Sequence, residues 1–235
     1  MFYRLVLIFA LAVSLTGVGH ADESEEKLIE NLMQLTSGTV QLEKVESSPA
    51  EGVYIVTMNS QEYFVYSKGD YLLVGDLYDA ANQIDFGQER VNVKIATAIE
   101  GVPESEMILM GEPLERFVTV FTDTDCFYCQ KFHDTVPELQ SRGMQVRYLM
   151  FPRAGIGSES YFEAVSVWCS DDQAEAITVA KAGGTVEPAS CENPVAGQYE
   201  LGGTVGVQGT PTIILDNGKV INGYVDPDRL LAEAG

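Results

Sequence analysis

The hydrophobic and polar positions divide the chain into stretches of different rhythm. In ESEEKLIENLMQL, Leu28, Leu32 and Leu35 fall on one helical face with Ile29 beside them. Acids crowd the first turn of that segment, where the helix dipole favours them. TVQLEKV, GVYIVTM, EYFVYS and YLLVGDLYD follow as short runs rich in Val, Tyr and Ile, with turn residues at Asn59-Ser60 and Lys68-Gly69-Asp70. One helix on a small sheet buries little surface, so residues 22–86 are expected to rely on a partner, an exposed edge strand pairing with its copy in a second chain. Residues 87–113 place Val91, Ile95 and Ala98 at helical spacing between Gly87 and the Gly101 and Pro103 positions, which predicts a linking helix and a loop.

The remainder, residues 114–235, alternates strand-like and helix-like patterns. RFVTVFT is an apolar run of strand length, followed by a helical pattern to about Arg142 in which Pro137 should introduce a kink. GMQVRYLMF reads as a second strand, and residues 158–182 and 194–205 as helices. TPTIILD and KVINGY, joined by Asn217-Gly218, read as a β-hairpin, and DPDRLLAEA as a closing helix begun by a cap and a proline. This order predicts an α/β layer fold of thioredoxin type with a helical insertion, carried behind an α+β N-terminal domain and a linker helix.

The first residues change the setting. MFYRLVLIFALAVSLTGVGHADE has one cation, Arg4, an apolar run from Leu5 to Val18, and small residues at Gly19 and Ala21. That is the layout of a secretory signal cleaved after Ala21, and the run is shorter than the ~20 residues a spanning helix needs. Residues 1–21 are therefore expected to be removed on export to an oxidising compartment, where cysteines tend to pair. The chain holds 14 Lys and Arg against 35 Asp and Glu, a formal charge of -21. Such acidity repels phosphate backbones and anionic lipids, which argues against nucleic acid or a membrane surface as partner.

The four cysteines, Cys126, Cys129, Cys169 and Cys191, all lie in the last domain. Cys126 and Cys129 could form a metal clip, a structural staple or a reactive couple. Loss of His20 with the leader leaves His133 as the one histidine, and no second close cysteine pair completes a zinc site, so no metal is expected. The setting of VFTDTDCFYCQKFH favours exchange chemistry. Cys126 stands where a strand gives way to a helix, and unpaired N–H groups there lower a thiol pKa; Cys129, one turn in, can reach back to it. An exposed Cys126 would attack and a sheltered Cys129 resolve. In GVQGTPTIIL, Pro211 cannot donate a ladder hydrogen bond; it is either a cis proline or an ordinary strand start.

CFYC after VFTDTD, the run YLMFPRAG, the pair VWC and PASC, and YELGGTVGVQGTP, in that order, resemble the periplasmic disulfide isomerase family of DsbC and DsbG. The likeness spans the last domain nearly end to end and the N-terminal domain more weakly. It implies a V-shaped homodimer of paired N-terminal domains, with two catalytic domains facing an apolar cleft. It implies Cys126 as the attacking cysteine, Cys129 as its resolving partner, and Thr210 and Pro211 as a cis-proline loop that binds the substrate backbone. Phe127 and Tyr128 are expected to bind substrate, the bulky Phe127 ring either adding apolar contact area for unfolded chains or restricting access to Cys126. Cys169 and Cys191 correspond to the family's structural disulfide, and closing a loop of about 20 residues stabilises a fold by roughly 3 kcal/mol in the chain-entropy model. Trp168 is expected to pack against that bridge. The implied activity is isomerisation of wrong disulfides in exported proteins, without a cofactor, the couple being kept reduced by an inner-membrane reductase of DsbD type.

Three rival functions use the same residues: a thiol oxidase of DsbA kind, a DsbG-like reductase of oxidised single cysteines, and a holding chaperone. Phe127 departs from the small or different residue expected after the first cysteine. Asp125 and Asp123 beside Cys126 are expected to oppose its ionisation. His133 is expected to be a partly exposed helix residue, the alternative being a group that tunes the thiols.

Overall fold

The computed structural model describes residues 23–234, so the expected leader lies outside the described residues. The chain divides into two compact units at Phe86/Gly87. In the first, helix α1 (Glu23–Leu35) lies on a meander of four antiparallel strands, β1 (Leu42–Ser47), β2 (Val53–Met58), β3 (Gln61–Lys68) and β4 (Tyr71–Gly75), in that spatial order. Leu28 and Leu32 meet Val56 and Val65 in its small core. Leu35, expected on the same face, is exposed, because the helix ends there and the sheet no longer covers it. YLLVGDLYD is broken rather than continuous. After β4 the chain turns into a separate two-stranded ribbon of β5 (Tyr78–Asp79) and β6 (Ile84–Asp85).

The second unit is built on a five-stranded sheet. Helix α2 (Phe86–Glu100) puts Ile95 and Ile99 into a core with Met107, Phe121, Leu149 and Ile214, while Val91, expected on the packed face, is exposed. The following residues are not a plain loop: a 3-10 turn (Glu104–Glu106) leads into β7 (Ile108–Met110), whose apolar side chains are buried at the sheet edge. The sheet continues with β8 (Arg116–Thr122), helices α3 (Phe127–His133) and α4 (Val136–Ser141), and β9 (Met144–Met150). Pro137 does more than kink one helix: it sits in the first turn of α4, where its missing N–H has no intrahelical partner to lose.

Two helices, α5 (Glu159–Trp168) and α6 (Gln173–Lys181), fill the stretch read as one, capped at Ser158 and Asp172 by side chains that accept from Tyr161 and Glu175 backbone N–H groups. Helix α7 (Val195–Thr204), strands β10 (Thr212–Leu215) and β11 (Val220–Asn222), and helix α8 (Pro227–Glu233) complete the unit. The sheet order is β11-β10-β8-β9-β7, with β8 and β9 parallel and the other pairs antiparallel. A disulfide joins Cys169 to Cys191 and closes a loop around α6, with Trp168 partly buried against the same core. The fold is thus an α+β domain followed by a thioredoxin-like α/β domain with a helical insertion.

Candidate active site

Strand β8 is buried on both faces and ends at Thr122; the chain then runs through Asp123, Thr124 and Asp125 to Cys126, which caps α3. This places Cys126 at the end of the central strand and Cys129, one turn later, on the buried side of α3. Both are free thiols. The turn before β10 comes alongside. Thr210-Pro211 is a cis peptide bond, and the Cys126 thiol donates to the Thr210 carbonyl at 3.2 Å. Cys126 is less open than expected, 3% exposed, because that carbonyl lies on the sulfur. Phe127 and Tyr128 stand outside it, 70% and 56% exposed, edge to face at 5.4 Å between ring centres.

The two sulfurs differ in acidity. Burial pushes the Cys126 thiol up, but the Thr210 hydroxyl, the Cys129 backbone N–H and thiol, and the Arg153 guanidinium outweigh it, leaving the pKa below the ordinary thiol value. For Cys129 burial prevails over the opposing Lys181 charge, and its pKa is raised. A thiolate therefore forms first on Cys126. The expected opposition from Asp123 is corrected by its pairing: its carboxylate is buried and accepts from Arg153 Nε and from the Arg153 backbone N–H, each at 2.9 Å. Arg153 also donates to the Asp125 carbonyl at 2.8 Å, so one guanidinium neutralises Asp123 and holds the loop before Cys126. Asp125 itself is exposed, where solvent screens its charge.

His133 is a core residue, not a partly exposed one. Its Nδ1 lies 3.0 Å from the Tyr148 hydroxyl and its Nε2 3.1 Å from Thr178 Oγ1. The Thr178 hydroxyl donates to the Ala174 carbonyl, so it accepts from Nε2–H, and Nδ1 accepts from Tyr148. Burial, with the nearby Lys181 charge, lowers the His133 pKa to about 4. The unfolded chain therefore takes up this proton first. The stability it withholds is fully available above pH 6.5 and is lost as pH falls towards 4, on the order of 3 kcal/mol. Urea unfolding at pH 7 and pH 4.5 should show a smaller loss in His133→Asn than in the parent; equal losses would rule His133 out as a source of acid sensitivity.

Lys181, Thr122 and Arg153 join this site without a local signal in the sequence. Arg153 sits in an ordinary PRAG turn, and Lys181 ends α6 in the manner of a surface cation. Only the packing of α6 on α3 brings Lys181 against the end of β8. Among the described residues no cluster of three or more His, Cys, Asp or Glu side chains could hold a metal ion.

Two family models match the chain: the disulfide bond isomerase protein N-terminal domain over residues 19–86, and a thioredoxin-like domain over residues 103–234. The thiol:disulfide interchange protein DsbC of Salmonella typhimurium is 37% identical over 232 residues, covering 97% of this chain and 94% of that protein. The chain belongs to the DsbC family. The DsbC of Escherichia coli (strain K12) is 34% identical over 227 residues, covering 95% of this chain and 92% of the relative. A crystal structure of a disulfide interchange protein from Neisseria gonorrhoeae superposes with a TM-score of 0.50 and 28% identity, over 57% of this chain and 96% of that one. As a family member the chain is a thiol:disulfide oxidoreductase.

Proposed function

We propose that the protein isomerises wrongly paired disulfides in exported proteins through Cys126 and Cys129. The observation that carries this reading is the more acidic thiol at the end of β8, set on the Thr210 carbonyl beside a cis proline with the less acidic Cys129 behind it. The Cys126 thiolate attacks one sulfur of a substrate disulfide, and the electron pair leaves on the other sulfur, giving a mixed disulfide. The freed substrate thiolate then attacks another disulfide of its own chain, and the thiolate released there attacks the substrate sulfur bonded to Cys126, forming a corrected disulfide and returning Cys126 as a thiolate. When this stalls, Cys129 attacks Cys126 and releases the substrate reduced. The Thr210-Pro211 turn binds substrate backbone, and Phe127 and Tyr128 offer apolar area to exposed segments. The oxidised couple that release leaves behind is returned to dithiol by an inner-membrane reductase of DsbD type. The setting is the periplasm, after cleavage at Ala21.

Substoichiometric reduced protein should restore activity to a scrambled multi-disulfide substrate; no restoration would overturn the reading. Thiol trapping of freshly isolated protein separates the rivals, since a mostly oxidised couple marks an oxidase and a mostly reduced one an isomerase or a DsbG-like reductase.

The assembly is a homodimer joined through the first unit. Its support is the edge strand β4, where Tyr71 is 82% exposed beside exposed Leu73 and Val74. The two-residue turn Gly69-Asp70 closes on the pair Lys68 and Tyr71, so alternation along β4 turns the Leu72 and Val74 N–H groups away from β3 and towards a second chain. Val74→Pro removes one of those donors without touching the β3 ladder, and sedimentation should show monomer where the parent is dimer. A proline variant that stays dimeric would place the interface elsewhere.

A further inference from the structure

Lys181 is 4% exposed, and its ammonium is held by a hydroxyl and a carbonyl rather than by a carboxylate: Nζ donates to Thr122 Oγ1 at 2.7 Å and to the Asp123 carbonyl at 2.6 Å. The Thr122 side chain also lies beside the Cys129 sulfur and favours its thiolate. Lys181 and Thr122 thus join the Asp123 backbone and Thr210 in favouring ionisation of a thiol that burial holds protonated. Helix α6, which carries Lys181, is fixed by the loop that the Cys169–Cys191 bridge closes. Burying an amine here is costly for a purely structural purpose, since a methionine or leucine would fill the space without desolvation.

We propose that Lys181 is a positioning residue for release of the mixed disulfide: through the Thr122 hydroxyl it holds the proton that Cys129 gives up when it attacks Cys126. The inference rests on the reading of Cys129 as the resolving thiol. In the step, the Cys129 proton passes to Thr122 as the Thr122 proton passes to the neutral Lys181 amine. The Cys129 sulfur forms a bond to Cys126 Sγ, the bond from Cys126 to the substrate sulfur breaks, and the electron pair leaves on that sulfur, which takes a proton from solvent. Cys129 is oxidised to the disulfide level, Cys126 stays at that level, and the substrate sulfur is reduced to a thiol. Burial brings the Lys181 pKa down to about 8, so neutral amine is accessible near neutral pH. The titratable groups around it are Cys126 at the start of α3, Cys129 and His133 on α3, Asp123 after the end of β8 with its Arg153 partner, and Glu163 on α5.

The test uses the reduced protein and the aromatic disulfide dithiobis(nitrobenzoate), which releases one coloured thiolate when Cys126 attacks and a second when Cys129 resolves. Lys181→Met and Thr122→Val should each slow the second release about 10-fold at neutral pH and move its pH midpoint up by about one unit, leaving the first release within about threefold. Thr122→Ser, which keeps the hydroxyl, should restore the midpoint. If Lys181→Met fails to fold, the two Thr122 variants decide. An unmoved midpoint in the folded variants overturns the proposal. Two full releases from Cys129→Ser would instead overturn the reading of Cys129 on which it rests.

Discussion

Cys126→Ser is expected to lower the rate of disulfide rearrangement by about 10³-fold or more, to the level of the buffer alone. Serine keeps the shape of the site and its contact with the Thr210 carbonyl, yet its hydroxyl is not ionised near neutral pH and forms no disulfide. Cys129 cannot substitute for it. That sulfur is fully buried on the inner side of α3, its pKa is raised, and the Thr210 carbonyl and the exposed Phe127 and Tyr128 rings lie at Cys126 instead. The measurement is the return of activity to a scrambled multi-disulfide substrate. The companion variant Cys129→Ser should accumulate a covalent adduct with that substrate, visible on a non-reducing gel, because the attacking thiol remains and its release step is gone. Refolding that proceeds unchanged with Cys126→Ser would leave the holding chaperone as the better account of the protein.

Gly218→Val should lower the unfolding free energy by about 4 kcal/mol, far from any sulfur. Gly218 closes the hairpin between β10 and β11 with φ of +81°, its N–H donating to the Leu215 carbonyl at 2.9 Å. The backbone of α2 passes directly over it. A Cβ there would run into the Asn92 carbonyl and come within 2.8 Å of the Ala96 nitrogen, so both the turn conformation and the seat of the helix require glycine. Gly143→Ala is the control. It has a φ of +82° and open space around it, and it should lose only the conformational part, about 1–2 kcal/mol. Equal urea midpoint shifts in the two variants would mean that the packing of α2 on this turn contributes nothing.

The cysteine pair and the hairpin are legible in the sequence because each depends on a residue type whose chemistry is local, a thiol after an apolar strand and an Asn-Gly between two, whereas the proline before β10 leaves cis and trans open until the packing decides. Strand β7 is not legible there, since ILM is three residues long and becomes a strand only because β9 offers it an edge. His133 shows the same limit from the other side. Helical spacing from Cys129 identifies its neighbours on α3 but not the α6 and β9 side chains, Thr178 and Tyr148, that close over it. Asp123 and Asp125 look alike beside Cys126, and the difference between them lies 28 to 30 residues away, in the single guanidinium of Arg153. Charge near a thiol can be counted along a chain, but whether it is neutralised is a property of tertiary structure.

The order of strands in the second unit also sets a timetable. β8 is flanked by β9, its near neighbour along the chain, and by β10, which begins only at Thr212. Ribosomes make Cys126 and Cys129 long before the Thr210 carbonyl that will cover the first of them, and Cys169 before Cys191. All four cysteines, destined for two different fates, are therefore synthesised before the Thr210 carbonyl that covers the first of them.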